Sequence, residues 1–259
     1  MSDSHGRFIW YELMTPDVAG AKAFYGDVVG WTAQDMAMPD MTYTLLQVDG
    51  NGVAGAMPLT PETAAQGVPP NWTGYVAVDD VDETAAKAAS LRGKVMQPPL
   101  DIPGVGRFAI IADPTGAVIA AMTPTPMDPP RPPVQPGTPG HGSWHELYAD
   151  DLEKAFAFYA ELFGWTKDQD MDMGPMGTYR LFANQGGQAG GMMTRPDNIP
   201  VPLWLYYFQV DGIEPAAERV KAGGGQVLNG PMEVPSGVWI VQAQDPQGAM
   251  FALVGSKAA

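Results

Sequence analysis

Residues 8–14, Phe-Ile-Trp-Tyr-Glu-Leu-Met, are dense in apolar and aromatic side chains, the composition of a half-buried strand. Asp17 then stands where a helix N-cap belongs, because its carboxylate can accept the free N–H groups of a first turn. Val18, Ala21, Phe24, Tyr25, Val28 and Val29 follow at helical spacing, and Gly30 marks the left-handed residue that ends the helix. The whole stretch is written twice. Trp144 to Thr166 repeats Trp10 to Thr32 at a constant offset of 134, with 11 of 23 positions identical, among them Glu12/Glu146 and Tyr25/Tyr159. Asp151, Phe158, Tyr159 and Gly164 therefore predict a second strand, turn and helix, and the aromatic helix faces read as core.

Beyond Trp31 a strand is expected to Asp35, then a Met-rich loop from Met36 to Met41, a strand through Tyr43, Leu45 and Gln47, and a short Gly-punctuated strand at 52–57. Residues 171–176 and 187–192 echo the loop and the glycine strand. Such methionines either fill gaps in a core or form an adaptable apolar rim. After a Pro-containing connection at 58–71 come a strand from Trp72 to Val78 and a helix opened by Asp79-Asp80-Val81 and ending near Gly93. Strands are predicted around Val95-Met96, from Arg107 to Ala112 and from Ala117 to Met122. This part recurs at an offset of 132, with Trp204 on Trp72 and Asp245-Pro246-Gln247-Gly248 on Asp113-Pro114-Thr115-Gly116. Asp-Pro-x-Gly between apolar alternating runs is a turn in which Pro presets φ and Gly takes the positive value. Each half thus reads as strand, helix and three strands, twice over. Residues 123–140 hold eight prolines, an extended spacer rather than a packed element. The expected division is 1–123, a linker at 124–140, and 141–259.

Composition narrows the chemistry. The chain of 259 residues has no Cys, which excludes disulfides, thiolate metal sites and Cys catalysis. Against 14 Lys and Arg stand 29 Asp and Glu, a net charge of −15 that disfavours nucleic acid and anionic membranes as partners. The absence of a signal pattern or a membrane-length apolar run leads to an expected cytoplasmic location.

The strand–Asp–helix–Phe-Tyr-x-x-x-x-Gly-Trp pattern, the Val-Asp-Asp helix start and the closing Asp-Pro-x-Gly hairpin resemble the vicinal oxygen chelate superfamily. That group comprises glyoxalases, extradiol dioxygenases and bleomycin- and fosfomycin-resistance proteins. The resemblance covers residues 8–122 and 142–254. It implies an α+β fold of two tandem domains, each of paired βαβββ modules forming a cupped eight-stranded mixed sheet with helices outside. The halves are expected to superpose about a pseudo-twofold axis, in a monomer or weak homodimer. The metal-binding members' ligand positions fall at Trp10, Thr73 and Ala120, and at Trp144, Leu205 and Ala252. None is a ligand side chain, and only His5, His141 and His145 are available as histidines.

Strand alternation puts Glu12 and Met14 on the face of Trp10, and Glu146 and Tyr148 on that of Trp144, with Tyr11 and His145 turned to the helices. The candidate ligand-binding set is Trp10, Glu12, Met14, Tyr75 and Met122 in one half, and Trp144, Glu146, Tyr148, Tyr207 and Met250 in the other. Each Glu is read either as a general base or ligand acceptor, or as a structural acceptor of N–H or indole N–H bonds; retention in both halves favours the structural role. No catalytic residue, metal site or cofactor is assigned. The expected function is metal-independent binding of a small apolar or amphipathic molecule. The alternative is a divalent-metal lyase or dioxygenase of the same superfamily with non-standard ligands.

Overall fold

The computed structural model describes residues 2–38, 41–126 and 134–258. In the first half the elements run β1 (Phe8–Thr15), α1 (Val18–Val29), β2 (Thr32–Ala37), β3 (Thr42–Val48), β4 (Asn51–Pro58), α2 (Pro61–Ala65), β5 (Asn71–Ala77), α3 (Val81–Ser90), β6 (Lys94–Ile102), β7 (Gly106–Ala112) and β8 (Val118–Pro124). The second half runs β9 (Gly142–Ala149), α4 (Leu152–Phe163), β10 (Thr166–Asp172), a single 3-10 turn at Gly174–Met176, β11 (Thr178–Asn184), β12 (Gly187–Thr194), β13 (Leu203–Gly212), α5 (Ile213–Ala222), β14 (Gln226–Glu233), β15 (Trp239–Gln244) and β16 (Met250–Ser256).

Each half makes one eight-stranded mixed sheet flanked by helices. The strand orders are β2-β3-β4-β1-β5-β8-β7-β6 and β10-β11-β12-β9-β13-β16-β15-β14. Parallel pairing joins β1 to β4 and β5 to β8, and likewise β9 to β12 and β13 to β16. A parallel pair needs a crossover, which is what each βαβββ module supplies. The expected fold class is the one observed.

The helix ends follow their local chemistry. The Asp17 carboxylate accepts the N–H of Gly20 at 2.9 Å, and that of Asp151 accepts the N–H of Lys154 at 3.1 Å. Gly30 and Gly164 close the two helices at φ 90° and 70°, where a Cβ would be strained. Asp80 caps α3 through the N–H of Glu83, whereas α5 begins at Gly212 without a side-chain cap. Asp113 and Asp245 organise the Asp-Pro-x-Gly turns: an Oδ1 atom of each accepts backbone N–H groups of its own turn, including those of Ala117 and Ala249.

Three sequence expectations need adjustment. The 58–71 connection contains the short helix α2, capped by the Thr60 hydroxyl at the N–H of Thr63. Strand β6 runs on to Ile102 well past Val95-Met96. The Met-rich stretches are shorter as loops than predicted, because Met36 ends in β2 and Met171 in β10. Pro39 and Asp40 of the first such loop, and residues 127–133 of the Pro-rich segment, lie outside the described residues.

The chain divides into two compact units, each drawing one module from either half. One unit comprises Met1–Ile9, Thr73–Pro133 and Trp144–Leu205. Within it Phe158 of α4 packs on Gly93, whose missing Cβ would lie 2.8 Å from the ring. Trp165 is buried among Tyr159, Phe163, Phe182 and Trp204, and its indole donates to the carbonyl of Gly6 at 2.7 Å. The other unit comprises Trp10–Trp72, Val134–Ser143 and Tyr206–Ala259. There Phe24 of α1 packs on Gly223 and Gly225, and the Trp31 indole donates to the carbonyl of Gly140 at 2.7 Å. The Trp72 indole donates to Tyr25 at 2.8 Å, and Tyr25 in turn donates to the Asp245 carboxylate at 3.0 Å.

Candidate functional site

Alternation along β1 buries Tyr11, Leu13 and Thr15 on one face and leaves Trp10, Glu12 and Met14 half-buried on the other. Glu12 lies in register with Gly55 of the adjacent strand β4, and Gly55 in turn with Leu45 of β3. A Cβ at Gly55 would overlap the Tyr43 hydroxyl. The glycine therefore opens a path by which the Tyr43 ring, rooted on β3, crosses β4 to reach β1. Its phenol donates to Oε2 of Glu12 at 2.9 Å and accepts the Trp10 indole N–H at 3.1 Å.

The second half builds the same group. Glu146 on β9 is in register with Gly191 of β12, where a Cβ would overlap the ring of Tyr179. Tyr179 donates to Oε2 of Glu146 at 2.9 Å and accepts the Trp144 indole at 2.9 Å. Here Glu146 and Tyr148 are both buried, while Trp144 is half-buried. Burial, followed by the neighbouring Glu charge, pushes the Tyr43 and Tyr179 phenols far above the usual range, so both remain donors at neutral pH. The arrangement is a fixed Trp–Tyr–Glu chain of hydrogen bonds, with flat aromatic surface beside a carboxylate.

Sequence reasoning named the Trp and the Glu but missed the Tyr between them. The indole donates to the phenol rather than to the carboxylate, which corrects the expected Glu–indole bond. The available signal was the Thr-Tyr-x-Leu pattern of residues 42–45 and 178–181, each preceding a glycine-rich strand.

The remaining candidates stand elsewhere. Tyr75 on β5 and Met122 on β8 are buried, and the Tyr75 ring centroid is 6.0 Å from that of Phe108. Tyr207 on β13 is buried and accepts the amide N–H of Gln242 at 2.8 Å, while Met250 is half-buried at the start of β16. Trp10, Glu12 and Met14 belong to one compact unit and Tyr75 and Met122 to the other; Trp144, Glu146 and Tyr148 are likewise divided from Tyr207 and Met250.

The residues present do not fit a metal ion of the kind the resemblance implies. Trp10, Thr73 and Ala120 offer an indole, a hydroxyl and a methyl, and Trp144, Leu205 and Ala252 offer less. Among the described residues no three His, Cys, Asp or Glu side chains are grouped to hold an ion. His145 is turned to the opposite face, stacked on Phe8 at 3.6 Å, with Nδ1 on the Ala189 carbonyl at 2.6 Å. Burial pushes its imidazole down to about 4, so it is neutral at physiological pH and Nδ1 carries the proton. A cleft of about 380 Å3 lies at Asp101, Gly104, Arg107 and Thr125, and another of about 230 Å3 at Asp27 and Arg219; neither is lined by Glu12 or Glu146. No helix among the described residues is long and apolar enough to cross a membrane.

Known proteins share both sequence and architecture with this chain. "Putative glyoxylase CFP32" of Mycobacterium bovis is 34% identical over 247 residues, covering 95% of this chain and 93% of its own. The anthracycline biosynthesis protein DnrV of Streptomyces peucetius is 31% identical over 262 residues, covering 96% and 93%. Among solved structures, the 2,2',3-trihydroxybiphenyl 1,2-dioxygenase of Sphingomonas wittichii strain RW1 superposes with a TM-score of 0.69 at 14% identity, over 98% of this chain and 91% of that one. The Mn(II)-bound glyoxalase of Novosphingobium aromaticivorans gives 0.66 at 15% identity, over 99% and 83%. At such identities the structures share the fold alone. The model of the Glyoxalase/Bleomycin resistance protein/Dioxygenase superfamily matches residues 7–121 and 141–253, and the chain belongs to that superfamily.

Proposed function

We propose that this protein binds a small molecule without a metal, at the Trp10–Tyr43–Glu12 and Trp144–Tyr179–Glu146 groups. Met14 shares the strand face of Trp10, and Tyr148 that of Trp144; Tyr75 and Met122 in one unit, and Tyr207 and Met250 in the other, are separate candidates for ligand contact. Residues 1–123 and 141–259 act as the two functional halves, with 124–140 as their spacer. The observation that carries this reading is that Trp10 and Trp144, at the first-strand positions where the resemblance calls for a metal ligand, each hold an indole tied through a phenol to the carboxylate. An aromatic surface with one fixed polar group is the usual form of a small-molecule site. The carboxylate and the net charge of −15 favour a planar or amphipathic molecule that is neutral or cationic over an anion. Relatives named for anthracycline biosynthesis support work on small molecules.

The test is thermal unfolding of the purified protein with quinoline and with N-methylquinolinium, each with and without EDTA, beside elemental analysis. The reading expects a rise in melting temperature that EDTA leaves unchanged. Stoichiometric divalent metal that is lost in Glu12→Gln or Glu146→Gln overturns it in favour of the metal-dependent enzyme. No rise with either compound overturns it as well.

A further inference from the structure

We propose that the cleft at the C-terminal ends of α1 and α5 binds a small α-amino acid, with Arg219 taking its carboxylate and Asp27 its ammonium group. The cleft has a volume of about 230 Å3 and is lined by Asp27, Arg219, Ala222 and Gly223, all within one compact unit. None of these residues belongs to the Trp–Tyr–Glu groups, so the inference stands apart from the reading above.

Both charged residues keep unused bonding capacity. A guanidinium carries five N–H donors in a rigid fork. Arg219 is half-buried on α5, and its Nη2 donates to the carbonyl of Val28 on α1 at 3.1 Å. That bond joins the two helices and holds the group in place. The other donors of Arg219 bond to no described residue, and Nε is buried without a partner. Asp27 precedes Val28 and is exposed in the last turn of α1. Its carboxylate has no hydrogen-bond or ion-pair partner among the described residues, although Arg219 lines the same cleft. Lys221, the other cation of the last turn of α5, is turned to Glu218 at 2.8 Å.

The repeat shows what the alternative looks like. At the offset of 132 Arg219 corresponds to Lys87, and at the offset of 134 Asp27 corresponds to Glu161. In that unit Lys87 donates to the Glu161 carbonyl, and its Nζ lies 3.6 Å from the Glu161 carboxylate. There the two charges answer each other. At Arg219 and Asp27 they do not, and a cleft adjoins both.

Charge and size select the ligand. A lone anion at Arg219 would meet the Asp27 carboxylate and the negative ends of two helix dipoles. A lone cation at Asp27 would meet the guanidinium. A molecule carrying both charges satisfies each pole and pays neither repulsion, and its carboxylate matches the guanidinium fork. A volume of about 230 Å3 falls below the roughly 300 Å3 at which drug-sized sites begin, which favours an amino acid with a small side chain.

The experiment follows the arginine Nε–H resonances of the whole 15N-labelled chain, with Arg219 identified as the peak missing in Arg219→Lys. The probes are L-alanine, sodium acetate and methylammonium chloride, compared at constant ionic strength. The expected result is a saturable shift of the Arg219 resonance with L-alanine, at an affinity about tenfold better than with either singly charged probe. Asp27→Asn, an exposed and shape-conserving change, should weaken L-alanine about fivefold and leave acetate at least as tight as before. No saturable shift with L-alanine overturns the proposal. Acetate binding as tightly as L-alanine to the unaltered protein overturns it as well, in favour of a plain anion site, and this comparison needs no variant at Asp27. An L-alanine affinity unchanged in Asp27→Asn would likewise remove Asp27 from the site and sink the zwitterion reading.

Discussion

Tyr179 donates its phenol proton to Glu146 at 2.9 Å across an intervening strand, and that strand is passable only because Gly191 has no side chain. Tyr179→Phe keeps the ring and removes the donor from a buried carboxylate. We expect a loss of about 1–3 kcal/mol of stability, read as a fall in melting temperature. Tyr43→Phe should cost less, because Glu12 is half-buried and keeps access to water. Equal effects would mean that the phenol, not the burial of the acceptor, sets the cost.

The glycine itself is testable. A methyl at Gly191 or Gly55 collides with the Tyr ring that crosses it. Gly191→Ala should destabilise by about 1–3 kcal/mol through overpacking. Combined with Tyr179→Ala the two losses should be less than additive, because the clash disappears with the ring. Additive losses in a double-mutant cycle would show that the glycine serves the backbone instead.

Charge at the two sites predicts ligand preference. Glu12→Gln and Glu146→Gln keep shape and remove the negative charge. They should weaken N-methylquinolinium roughly fivefold each, the difference of about 1 kcal/mol between a charged and a neutral contact, and spare quinoline. Isothermal titration at pH 7.5 measures both. An unchanged cation affinity would make the carboxylates structural.

His145 gives a pH signature. Its folded value of about 4 lies below the ordinary 6.5, with burial as the main cause. The unfolded chain therefore binds the proton first. The stability contribution is complete above pH 6.5, falls as the pH drops towards 4, and levels off below. The total is roughly 3 kcal/mol. Equilibrium unfolding across that range should show the slope, and His145→Gln should flatten it. An imidazole C–H resonance for His145 with a midpoint above pH 6 would overturn the assignment.

Local chemistry was legible in the residue order. Asp17 and Gly30 delimit α1, and Asp151 and Gly164 delimit α4, because a cap needs only its own first or last turn. The alternation along β1 separated Trp10 and Glu12 from Tyr11, since successive side chains of a strand must take opposite faces. The repeat carried both readings to the second half and, with the Asp-Pro-x-Gly hairpins, pointed to the family. What lies between Trp10 and Glu12 was decided by tertiary structure. Tyr43 reaches them from β3, which is not a neighbour of β1 but is separated from it by β4, and strand order is a property of the sheet rather than of any segment. The same holds for Gln242, Tyr207 and Asn229, which lie on three strands and become one polar line only through register. The division into compact units has the same origin. Phe158 meets Gly93 and Phe24 meets Gly225 across long stretches of chain, because a helix buries its apolar face against whichever surface packs it, not against the nearest in sequence.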